Sequence, residues 1–182
     1  MGSKILLKPL IFLESIIDRI VSVIGAIVFI QIPTFIVQYQ QRLGGHVDEL
    51  ARLVKQYKSA ASVNGRTVEE YIGLHLNYDV KEFVSTGKLM TDNMERFNEL
   101  SLALQNLSES SGIKKFFVFL KSMDFDIFKG TYKDFVPGIS FNLDSILYCI
   151  VGIIFSMLLY LLIKKSLQFF IIKNKETKRF KV

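Results

Sequence analysis

The sequence predicts an all-α membrane protein in which two transmembrane helices flank an extracytoplasmic amphipathic helical hairpin or small bundle. Three observations carry that prediction. Residues 20–41, IVSVIGAIVFIQIPTFIVQYQQ, hold no Asp, Glu, Lys or Arg. Residues 145–163, SILYCIVGIIFSMLLYLLI, hold none either. Between them, a polar stretch repeats its apolar residues at three- and four-residue spacing. A helix rises ~1.5 Å per residue, so the first run covers roughly 33 Å, about the hydrocarbon thickness of a bilayer.

Composition agrees. Half of the 182 residues are hydrophobic and mean hydropathy is +0.33, too apolar for an ordinary soluble domain and too short for many spans. The formal charge of +6 is unevenly placed: residues 1–38 carry +1, residues 39–141 balance thirteen basic against thirteen acidic side chains, and residues 142–182 carry +5. The excess lies beside a span, where the positive-inside rule accounts for it, so no nucleic-acid partner is expected. Cys149 is the single cysteine, which excludes an intramolecular disulfide.

In chain order, residues 1–19 are expected to form an N-terminal interfacial segment or an extension of the first span. Lys4, Lys8 and Glu14 sit among large aliphatics, as in a short helix lying among headgroups. Glu14, Asp18 and Arg19 interrupt the apolar run, so the segment is expected to stay attached rather than be removed as a signal peptide. The first transmembrane helix follows at 20–41. Gln31 falls at mid-depth, where an unpartnered amide is costly, and is expected to bond to another helix, a backbone carbonyl or a buried water. Ser22, Gly25 and Ala26 make a small-residue patch for close helix approach. Pro33 removes a backbone donor and predicts a kink.

The extracytoplasmic helical domain is expected over 42–141. Arg42 and His46 suit the membrane surface, and Gly44 with Gly45 predicts a bend where the chain leaves the bilayer. Asn64-Gly65 is a turn. Thr67 with Glu70 is a capping box that opens a helix extending toward Phe83, with Gly87 at its end. Asp92 with Glu95 opens a third helix through Leu107. The run IKKFFVFLKSMDFDIF predicts one buried or membrane-touching helix, too short and too charged to span, and Lys129 to Phe141 is expected to be irregular.

The second transmembrane helix is placed at 142–165, capped by Ser140 or Asn142. Ser145, Cys149, Gly152 and Ser156 fall on one stripe, a packing seam for the first span or for a neighbour's copy. Lys164 and Lys165 end the span. A basic cytoplasmic tail, 166–182, includes Lys173 and can rest on anionic lipid. The basic flanks put both termini in the cytoplasm and the middle in the periplasm or exterior.

Gln31-x-Pro33-x-Phe35, the run Gln38-Tyr39-Gln40-Gln41-Arg42-Leu43-Gly44-Gly45-His46, and Phe135-x-Pro137 ahead of a span with Gly152 resemble a bacterial inner-membrane family of unknown function with two transmembrane helices. The resemblance covers nearly the whole chain in the order span, helical middle, span. It implies no activity, and the tail beyond Lys173 belongs to none of its motifs.

Chemistry is sparse. His46 and His75 lack the i, i+3 or i+4 partner that a zinc site needs, so no metal or other cofactor is expected. No serine sits in a G-x-S-x-G elbow, and neither Gly44-Gly45 nor Ser85-Thr86-Gly87-Lys88 makes a phosphate loop. Asp124, Asp126 and Asp134 lack the glycine and terminal glutamate of a calcium loop. The reading is a non-enzymatic assembly, scaffold or accessory subunit. Its partners are the lipid bilayer and a homo-oligomer, another membrane protein, or both, reached through Gln31 and the small-residue stripes. The alternative is a homo-oligomeric channel whose kinked first spans line a pathway, and a third possibility is an enzyme or lipid-modifying subunit.

Overall fold

The computed structural model describes residues 3–138 and 143–179, with the side chains of 16, 17, 19–138 and 143–166. Among them are six helices and no strand: α1 (Ser3–Val63), α2 (Val68–Leu76), α3 (Lys81–Ser108), α4 (Gly112–Ser122), α5 (Phe125–Lys133) and α6 (Leu143–Arg179). Two stretches, Arg19–Val63 within α1 and Leu143–Ser166 within α6, are long and apolar enough to cross a membrane. The expectations for the side chains of Lys4, Lys8, Glu14, Asp18 and Lys173, and for Ser140 or Asn142 as a cap, lie outside the described residues.

The chain forms two compact units. The first holds α1 up to Thr34, together with α6. Here the small residues face inward and the large aliphatics outward. Ser145, Gly152 and Ser156 are buried, whereas Val23, Ile27, Ile150, Ile154 and Leu158 are each at least half exposed.

The second unit, Phe35–Val136, is a helical bundle built on the remainder of α1 and on α2 to α5. Tyr39, Leu43 and Leu107 are wholly covered, with Ile36, Leu100, Phe119 and Ile127 almost so. Side chains of this size contribute ~1.5–3 kcal/mol each when fully buried. Phe35 packs against the rings of Phe119, Phe128 and Phe135 at 5.4–6.1 Å. A separate cluster of Ala61, Val68 and Ile72 with Tyr57, Tyr71, Met90 and Met94 joins α1, α2 and α3.

Local signals explain several boundaries. Gly65 takes φ +65°, a left-handed conformation open to glycine, at the turn that ends α1. Both halves of the Thr67 capping box form: Glu70 N–H donates to Thr67 Oγ1 at 3.2 Å, and Thr67 N–H donates to Glu70 Oε2 at 2.9 Å.

Helix α1 continues through Pro33 and through Gly44-Gly45, with Leu43 and Val54 buried on either side of the glycine pair. Other boundaries differ from expectation. Gly87 does not end a helix, and Asp92 does not start one. α3 already begins at Lys81 and runs through Gly87, whose bare Cα lets the helix approach His75 and Leu76. The aromatic run is two helices, since the Asp124 carboxylate accepts from Asp126 N–H and Ile127 N–H and caps α5, which continues through Gly130 to Lys133. Likewise α6 does not stop at Lys164-Lys165.

Candidate functional site

Within the first unit, α1 and α6 meet at Gly25 and Gly152. A Cβ built on Gly152 would stand 2.6 Å from Phe29 Cβ and 2.9 Å from the Gly25 carbonyl oxygen; one on Gly25 would stand 2.5 Å from Ser156 Cβ. Only glycine permits backbones this close, as at small-residue crossings between membrane helices. Ser156 Oγ donates to the Gly152 carbonyl at 2.7 Å, and Phe29 packs on Phe155 with ring centres 5.3 Å apart. Ser22 and Ala26 are half-buried, as is Cys149. The predicted small-residue stripe therefore includes a contact made within one chain.

Gln31, also half-buried, bonds to backbone. Its Nε2 donates to the Ile27 carbonyl at 3.3 Å, and its Oε1 accepts from Gly138 N–H at 3.2 Å. Thr34 Oγ1 donates to the Gly138 carbonyl at 3.2 Å. Pro33 is buried beside them. At the far end of this unit's helices, Lys164 is half-buried and Lys165 exposed.

In the second unit, Gln38 repeats the device on Val136, donating to its carbonyl at 2.7 Å and accepting from its N–H at 3.2 Å. Arg42 pairs with Asp134 and lies against Gly130, where a Cβ would collide with the guanidinium. Gly44 has open space around it, as does Gly45, and His46 is exposed. Tyr39 O–H accepts from Asp124 N–H at 2.7 Å. Arg96 pairs with the Asp124 carboxylate. Burial opposes ionisation of that carboxyl, but the Ile127 N–H, the Arg96 guanidinium and the Asp126 N–H outweigh it and hold its pKa below the ordinary value. Sequence reasoning missed this Tyr39, Arg96 and Asp124 network. The Asp124 cap had a local signal, but pairings over 28 and 85 residues had none.

Two recesses mark the surface of the bundle. One, about 330 Å³, lies between α2 and α3, with Ile72, Leu76 and Met94 as an apolar floor and Glu69 and Glu95 at its rim. The other, about 390 Å³, lies between α3 and α4 and presents Lys114 and Lys121 beside Glu109. Among the described residues, no group of three or more His, Cys, Asp or Glu side chains is placed to share a metal ion. What these surfaces can do is bind: the first suits an apolar side chain next to a basic one.

Fold and surfaces together define an all-helical protein with two helices long and apolar enough to cross a membrane. The chain belongs to the family described as "Protein of unknown function (DUF2937)", which matches residues 13–172. No curated protein and no solved structure matches it.

Proposed function

We propose that the protein crosses a bacterial inner membrane twice, keeps both termini in the cytoplasm, and displays the helical middle that follows the first span in the periplasm as a non-enzymatic scaffold or accessory subunit for another membrane protein. The observation that carries this reading is the inverted exposure of α1 and α6. Only 17% of the most apolar window of each is buried, whereas the core helix of a water-soluble protein is mostly buried. Large aliphatics facing outward suit lipid, and glycine and serine facing inward suit helix–helix packing. The basic C-terminal flank supports the orientation.

Two features favour a scaffold over a reaction centre. Arg42, Arg96, Asp124 and Asp134 are engaged in caps and ion pairs, and the α2/α3 recess offers an apolar floor with an acidic rim. Because Gln31 and Gln38 already bond to backbone, a partner would contact the outward faces of α1 and α6 or the recess. Native mass spectrometry of the gently extracted protein tests the reading. The expected result is a complex with a different membrane protein that Leu76→Arg dissociates. A ring of identical subunits that carries current in liposomes would instead establish a channel and refute the proposal.

A further inference from the structure

We infer that α5, with the exposed face of α4, is an interfacial helix that sits in the headgroup layer and binds the anionic phospholipid surface around the first span. The inference rests on α1 being a span, as proposed above.

The first argument is where α5 meets α1. Asp124, the N-cap of α5, meets Tyr39, Phe128 meets Phe35, and Asp134, the C-cap, meets Arg42. The helix and both its caps therefore lie against residues 35–42, a stretch of α1 that rises only ~10.5 Å.

The second argument is its level. Residues 35–42 are where the uncharged run ends in Gln38, Gln40, Gln41 and Arg42. That composition belongs to the boundary between hydrocarbon and water.

The third is the face turned away from the bundle. Phe125 and Tyr132 are 60% and 72% exposed, and Phe128 stacks with both at 6.4 Å. Lys129 Nζ sits 4.6 Å over the Phe125 ring. On α4, Ile113, Phe117 and Leu120 recur at one-face spacing and are all exposed. Residues 112–133 carry five lysines against two aspartates, and Asp124 is already paired with Arg96. Rings at acyl depth with ammonium groups reaching to phosphate is the chemistry of an interfacial helix on anionic lipid.

The chain contains no tryptophan, so a single introduced one reports alone. Full-length Phe117→Trp, Phe125→Trp and Tyr132→Trp variants, reconstituted in phosphatidylglycerol vesicles, should show blue-shifted emission and loss of intensity with brominated lipid. The emission should shift back toward red when phosphatidylcholine replaces the anionic lipid. Val63→Trp, 86% exposed at the end of α1, should instead lose intensity to aqueous iodide, and Leu158→Trp in α6 should be quenched by deep bromolipid. If the three ring positions respond to iodide as Val63→Trp does, the proposal is overturned. It is equally overturned if they are shielded from both quenchers, which would mean that a second copy or another protein covers them. An unquenched Leu158→Trp would overturn the span reading as well, whereas a quenched one with unquenched ring positions overturns this inference alone.

Discussion

The same glycine-to-alanine change should have opposite signs at two places in this chain. At Gly152 the added Cβ meets Phe29 Cβ at 2.6 Å and the Gly25 carbonyl oxygen at 2.9 Å. Both neighbours are fixed to helix backbone, so no rotamer change relieves the contact. The helices must separate, an overpacking cost of ~1–3 kcal/mol. Against it stands the gain of ~1 kcal/mol from replacing a helical glycine. Subtracting the gain leaves a net loss of up to roughly 2 kcal/mol, about 1 kcal/mol at mid-range. Gly25→Ala meets Ser156 and should behave alike. Gly44 and Gly45 also lie in α1, but a Cβ there has nothing within 4 Å. Each change to alanine there should stabilise by ~0.5–1 kcal/mol. Unfolding of the full chain in mild detergent, followed by far-UV circular dichroism, separates the two classes. If Gly152→Ala and Gly25→Ala are as stable as the parent, the close crossing of α1 and α6 is wrong.

Two further predictions concern the bundle. The Asp124 carboxyl has its folded pKa depressed by Ile127 N–H, Arg96 and Asp126 N–H. Its contribution is thus fully present above the unfolded-state value and lost as pH falls through the folded one. Melting temperatures measured from pH 6 to pH 2 should fall over the acid end of this range, starting near the ordinary ~3.9 of an aspartate, and Asp124→Asn should flatten that fall. An unchanged acid slope in Asp124→Asn would remove the role given to this cap. Thr67→Ala deletes the side-chain half of the α2 capping box and should cost ~1 kcal/mol in denaturant unfolding, while Thr67→Ser should retain most of it.

What could be read in advance follows the range of the interactions. The uncharged runs, the Asn64-Gly65 turn and the Thr67 box are decided by neighbours within a few residues, and the structure agrees with each. Gly87 misled because a glycine in a helical pattern signals either an end or a close approach, and the choice lies with His75 and Leu76 across the gap. The irregular stretch expected from Lys129 starts later for the same reason, since Gly130 stays helical with Arg42 as its close neighbour. The split between α4 and α5 follows from Asp124, whose caps are local but whose fixation by Tyr39 and Arg96 comes from other helices. Gln31 was expected to find a partner, and its spacing could not reveal that this would be the backbone of Gly138, 107 residues away.

The glutamines on α1 have a consequence for the chain that leads back toward α6. A primary amide presents a donor nitrogen and an acceptor oxygen in nearly the geometry of a peptide unit, so Gln38 does for Val136 what an adjacent strand would do. Pro137 brings no N–H to satisfy, and Gln31 and Thr34 attend to Gly138. An irregular piece of polypeptide is thereby solvated by side chains instead of by water, and can exist where water is scarce. Glutamate would forfeit the donor and leucine both functions, so at these two places the side-chain amide acts as a stand-in for main chain.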